Sequence, residues 1–175
     1  MRKYLDNLYT FSGAIAAGLI AIICLLVTTQ VVLNLIAKIG GASVSFTIPS
    51  YADFAGYFLA ASSFLALSYT FMRGGHIRVT LLFNMLGNGT VRLLAEVFSI
   101  AVCACTMVFA TYYMALLVEQ SYRFGDKSTG IVSIPIWIPQ MPVLIGLAIF
   151  SIALIDVLLQ TLRTRNTIIE YKESL

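Results

Sequence analysis

Four long stretches of this chain carry no charged side chain, and that pattern limits the fold more than any other feature. They run from Phe11 to Ala37, Phe54 to Met72, Val97 to Val118 and Ile134 to Ile155. Charged residues bracket each one: Asp6 and Lys38, Asp53 and Arg73, Glu96 and Glu119, Lys127 and Asp156. A helix of about 20 apolar residues, rising about 1.5 Å per residue, crosses a hydrocarbon layer of about 30 Å. All four stretches meet that length. Only 11% of the 175 residues are charged and 59% are hydrophobic, against about 25% charged in ordinary soluble domains. The chain therefore reads as an all-α integral membrane protein with four transmembrane helices, over spans of about 11–37, 54–72, 97–118 and 134–155. No internal repeat or linker divides it, so residues 1–175 form a single membrane domain, expected as one compact helical unit. The first stretch follows Arg2 and Lys3 but is far longer than a signal-peptide core, so it is expected to be retained as a span.

Loops rich in Lys and Arg are held on the cytoplasmic side. Arg2 and Lys3 precede the first span, Arg73, Arg78 and Arg92 lie between the second and third, and Arg163, Arg165 and Lys172 follow the fourth. Of the 11 basic residues only Lys38, Arg123 and Lys127 remain for the other side. Both termini are therefore expected inside (N-in/C-in). Between the second and third spans, His76, Thr80, Asn84 and Asn88 repeat every fourth residue opposite Ile77, Leu81, Leu82, Met85 and Leu86. This spacing predicts an amphipathic helix. It either lies along the membrane interface or extends a span. Gly87 and Gly89 end it. The sequon at Asn88, Gly89 and Thr90 lies in this inward loop, where no glycosylation is expected. On the outer side Gly40, Gly41, Pro49, Gly125, Gly130 and Pro135 supply turns.

Chemistry-bearing residues are sparse. No uncharged stretch has an ionisable group near its centre, where proton-coupled carriers place one. Gln30 and Asn34, four residues apart on the first span, are expected to make packing hydrogen bonds more than an ion site. Cys24, Cys103 and Cys105 are expected to be small buried packing residues. Cys103 and Cys105 point to different sides of their helix, which argues against a redox pair. His76 is the only histidine, too few for paired haem ligands or for a triad with a mid-membrane serine. No catalytic residue, cofactor or metal is expected, and a net charge of +3 gives no concentrated basic face for nucleic acid. Small residues recur every fourth position at Gly13, Ala17 and Ala21, at Ala14 and Gly18, and at Ala52, Gly56 and Ala60. That spacing lets helix backbones approach closely, within the chain or against another protein.

Two segments carry a family resemblance. One is Arg73-Gly74-Gly75-His76-Ile77-Arg78-Val79 after the second span. The other runs from Gly125 and Asp126 to Ser133-Ile134-Pro135-Ile136-Trp137-Ile138-Pro139-Gln140, leading into the fourth. In this order, on four spans, they make the chain resemble the DctQ-type small membrane subunit of tripartite ATP-independent periplasmic (TRAP) transporters, across nearly its whole length. The resemblance implies a multi-pass protein of the bacterial inner membrane that serves as a fixed scaffold beside a large elevator-type subunit. That large subunit holds the substrate and sodium sites. A periplasmic binding protein delivers an organic acid, a C4-dicarboxylate or, preferred here, a sugar acid such as sialic acid. Arg73, His76 and Arg78 at the inner edge, and Trp137 and Gln140 at the outer, are expected to contact that subunit or membrane lipids. Interfacial Arg and Trp also serve simple anchoring. Asp126 is expected to help dock the binding protein. A self-sufficient small oligomeric carrier is the competing reading, and a membrane enzyme is the weakest.

Overall fold

The computed structural model describes residues 2–40, 47–73 and 90–164. These form four helices: α1 (Arg2–Gly40), α2 (Tyr51–Met72), α3 (Thr90–Phe124) and α4 (Trp137–Thr164). Each is long and apolar enough to cross a membrane. The segment from Gly74 to Gly89, with the expected amphipathic helix, His76, Arg78 and most of the sequon, lies outside the described residues.

The helices outrun the spans read from the sequence. At about 1.5 Å per residue, the 39 residues of α1 and the 35 of α3 are well over the thickness of a hydrocarbon layer. The first and third uncharged stretches are thus the middles of longer helices that tilt or project beyond the bilayer. α2 begins at Tyr51 rather than Phe54, which puts Asp53 in its first turn, where a carboxylate meets the positive end of the helix dipole. α4 begins at Trp137 rather than Ile134. The residues just before it are already used: the Ile134 carbonyl accepts from the Ser128 N–H at 2.8 Å, and the Ile136 N–H donates to the Asp126 carbonyl at 3.0 Å.

The helices pack pairwise in a definite order. α1 lies against α2, α2 against α4, and α4 against α3, with only slight contact between α1 and α4. The result is an open row, α1–α2–α4–α3. Burial follows position: 39% of the span window of α4 and 22% of that of α2 are buried, against 17% for α3 and 6% for α1. The buried residues of α4 form one broad arc, from Ala153 and Val157 through Phe150, Thr161 and Leu154 to Leu147 and Ser151, with Gly146 on the side that meets α2 and Ser151 on the side that meets α3. The most enclosed apolar cluster sits where three helices meet, with Ala104, Phe150 and Leu154 packed by Leu67, Phe71 and Met107. Phe71 and Phe150 meet edge to face, centroids 5.7 Å apart.

Lipid tails are as apolar as leucine, so these helices gain little from the hydrophobic effect and rely on close van der Waals approach and interhelical hydrogen bonds. α1 and α2 meet where Gly13 faces the Tyr69 ring and the Ser12 hydroxyl donates to the Leu65 carbonyl at 2.6 Å. Thr111 and Ser151 link α3 to α4 at 3.1 Å. The tightest crossing is α2 with α4. A Cβ at Gly146 would lie 2.6 Å from the Phe64 carbonyl carbon and 2.9 Å from the Leu65 nitrogen. Main chain cannot rotate aside as a side-chain tip can. By contrast, a Cβ on Gly18 or Gly56 would meet nothing within 4 Å, so those small residues do no packing within the chain.

Gly146→Ala is expected to destabilise the protein by about 1–3 kcal/mol through overpacking, lowering the thermal midpoint of the chain in detergent. Gly56→Ala, measured alongside, is expected to leave it unchanged or slightly raised, since alanine favours helix over glycine.

Candidate functional site

The helices alternate in direction, so one end of the row carries the starts of α2 and α4 and the ends of α1 and α3. Here the connecting segments are built onto one another. Gln30 on α1 is almost fully buried. Its side-chain Nε2 donates to the Asn34 Oδ1 at 2.9 Å, and its Oε1 accepts the Ile48 N–H at 2.9 Å. The pair therefore pins the segment that leads into α2. This extends the packing role expected for Gln30 and Asn34 to a tie between helix and loop.

The α3–α4 connection is a short, internally bonded loop. Gly125 takes φ +68°, a left-handed conformation natural to glycine at a helix end. It lets the Asp126 N–H donate back to the Ser121 carbonyl at 3.1 Å. Lys127 and Pro135 then pair as an antiparallel bridge, and the Ser128 hydroxyl accepts the Ile134 N–H at 3.3 Å. The loop in turn sits on the start of α2. The Val132 N–H donates to the Ser50 hydroxyl at 3.0 Å, and Gly130 lies so close to Asp53 and Ser50 that a Cβ there would collide with the Asp53 carboxylate and approach the Ser50 oxygen to 2.9 Å. Ser50 itself has a left-handed φ of 56°, and its carbonyl accepts the Phe54 N–H at 3.1 Å.

This end presents a shaped surface. Asp126 and Lys127 are exposed, and Ile131, at the tip beside the anchoring Gly130, is 86% exposed. Trp137 is half-buried and packs edge to face on Tyr122, centroids 5.6 Å apart, which braces the end of α3 against the start of α4. Gln140 is half-buried, and its side-chain carbonyl oxygen is enclosed with no donor among the described residues. The structure brings Asp126 and Trp137 onto one platform, with Gln140 a turn below.

At the opposite end Arg73 closes α2. It is exposed, and its guanidinium lies over the Tyr69 ring, 5.2 Å from the centroid. His76 and Arg78 fall outside the described residues. Glu96, the charge that precedes the third uncharged stretch, is folded into the row with only 2% exposure.

The cysteines correct an expectation. Cys24, Cys103 and Cys105 are all exposed and free, because the two outer helices of an open row, α1 and α3, turn most of their surface outward. Among the described residues no three His, Cys, Asp or Glu side chains gather as a metal site. Gly130 was read from sequence only as a turn residue and Gly146 was not singled out. The one sequence signal for Gly146 is that the fourth stretch contains no other glycine.

The sequence matches the family described as Tripartite ATP-independent periplasmic transporters, DctQ component, over residues 23–164. No curated protein and no solved structure matches it significantly.

Gly130→Ala is expected to loosen the loop from α2 and raise the rate of trypsin cleavage after Lys127 about fivefold or more, since cleavage follows the population of the open loop. Limited proteolysis of the purified chain, followed by mass spectrometry, measures it.

Proposed function

The chain belongs to the DctQ family, the small membrane component of tripartite ATP-independent periplasmic transporters, and from that premise we propose that it is the fixed scaffold beside a large elevator-type subunit. The family is one of inner-membrane transporter components rather than of enzymes. The observation that carries the proposal is the open row: α1 is 6% buried within its span window and exposes Ile22, Leu25, Val31 and Leu35. An edge helix so little used by its own chain offers surface to another membrane protein. The uncharged middles of the spans suit a subunit that supports transport without carrying the coupled ion.

In this reading both termini face the cytoplasm and the α3–α4 loop faces the periplasm, as the Lys and Arg distribution favours. The loop platform then receives the periplasmic binding protein, with Asp126 as a charged contact and the exposed Ile131 as an apolar one. Trp137 and Gln140 support that platform and meet the large subunit or lipid, as do Arg73, His76 and Arg78 at the cytoplasmic edge. The transported solute is an organic acid, a sugar acid such as sialic acid or a C4-dicarboxylate, moved with sodium by the large subunit.

Three outcomes are expected. In a variant lacking the native cysteines, Thr129→Cys is labelled by a membrane-impermeant maleimide added outside intact cells; labelling only after lysis would reverse the orientation. In proteoliposomes, sodium-driven uptake is expected to need this chain, the large subunit and the loaded binding protein together. Asp126→Arg should raise the binding-protein concentration giving half-maximal uptake by about tenfold, consistent with a lost or reversed charge contact at a partly exposed interface, while the two membrane subunits still co-purify. Uptake by this chain alone would instead support a self-sufficient carrier.

A further inference from the structure

At the end of the row where α1 begins and α2 finishes, the two helices part around a cavity of about 470 Å³, lined by Asp6, Tyr9, Thr10, Tyr69, Met72 and Arg73. It lies at the membrane edge, because the first uncharged stretch starts at Phe11 and the second ends at Met72. Its two charges are opposite in sign and face one space, yet no ion pair joins them. Arg73 is held in place through a short chain of contacts: Gly13 leaves room on α1 for the Tyr69 ring, and that ring lies under the guanidinium. The Thr10 hydroxyl already donates to the Asp6 backbone carbonyl at 2.8 Å, and among the described lining residues the Asp6 carboxylate and the Arg73 guanidinium are the charged groups that a ligand would meet.

A second feature continues from this cavity. Beyond Thr10 on the same face of α1 come Ala14, Ala17, Gly18 and Ala21, all exposed. A Cβ on Gly18 would have open space around it. Small side chains in succession leave a shallow lane along the helix, starting at the cavity and running into the hydrocarbon. Packing within the chain does not use it.

We propose that this cavity and lane form a binding site for a phospholipid with a zwitterionic phosphoethanolamine headgroup. The phosphate lies on Arg73, the primary ammonium on Asp6, and one acyl chain in the lane of Ala14, Ala17, Gly18 and Ala21. The chemistry selects among lipids. An anionic glycerol headgroup brings no positive charge to Asp6 and meets its carboxylate as repulsion. A choline headgroup carries a positive charge but no N–H to donate. The site deepens the reading of Arg73 as a membrane-edge residue and rests on it for depth in the bilayer. Its test uses the isolated chain and is therefore independent of the transporter assembly.

The experiment is native mass spectrometry of the full chain in detergent with equimolar phosphatidylethanolamine, phosphatidylglycerol and phosphatidylcholine, with glycerophosphoethanolamine as the chain-free headgroup. The wild type should retain one phosphatidylethanolamine about tenfold over either other lipid, the effect expected of one charge-assisted contact. Arg73→Gln should lose that retention, Asp6→Asn should admit phosphatidylglycerol, and Ala17→Phe should weaken retention of the intact lipid by filling the lane. Arg123→Gln, in the last turn of α3 at the opposite end of the row, should change nothing, and thermal melts identify variants that fail to fold. Equal retention of the three lipids by the wild type would overturn the proposal, as would an unchanged preference in folded Arg73→Gln and Asp6→Asn. Retention of glycerophosphoethanolamine as strongly as the lipid would overturn the membrane as its source.

Discussion

The approach of α4 to α2 at Gly146 is the contact on which the row depends. In a bilayer, association between apolar helices earns little from burying surface, so the geometry goes to whichever backbones can come closest. Gly146 has no side chain, and the Phe64 and Leu65 main chain occupies the space where one would be. With α4 seated there, its second face is left for α3, joined by the Thr111 and Ser151 hydroxyls. α1 takes the free side of α2 through Gly13 and Ser12. The inner helices α2 and α4 each pack on two neighbours and the outer helices α1 and α3 mainly on one, with no extensive contact between α1 and α3 among the described residues. An open row is the consequence.

Openness links packing to function. A closed four-helix bundle turns its apolar face inward and its remaining surface toward lipid. This row leaves most of α1 and much of α3 uncovered, including the outward cysteines. The same glycine-based approach recurs at the loop end, where Gly130 seats the α3–α4 loop on Ser50 and Asp53, so the platform is fixed to the helix beneath it. In the proposed scaffold role, holding still while a partner moves is served by loops tied to helices through close contacts such as Gly130 on Ser50 and Asp53 and through bonds such as Gln30 to Ile48.

The four helices were legible in the sequence because hydrophobic length is a local property and each uncharged stretch reports it directly. The family was legible from the Arg73 and Trp137 segments, and the match over residues 23–164 agrees. The arrangement was less so. Gly13 and Gly18 look alike in a small-residue pattern, yet one packs on Tyr69 and the other meets nothing, because the difference lies in the partner helix. Gly130 and Pro135 announced a turn, but not that the turn would rest on α2, a contact between residues far apart in the chain. The cysteines lie within apolar stretches, which points to burial, but apolar sequence does not distinguish a lipid-facing side chain from a packed one, and all three are exposed. Asp126 and Trp137 could be named from the motif that contains them; that Trp137 braces Tyr122 required coordinates.

In the proposed scaffold role the exposed edges of this row are a surface for another membrane protein. Site-specific photocrosslinking in native membranes tests it most directly, with a photoreactive residue placed in turn at Leu25 on α1 and Phe109 on α3, both strongly exposed. At least one edge is expected to give a single discrete adduct with a larger hydrophobic polypeptide, at high yield. Adducts with lipid alone from both edges would contradict it.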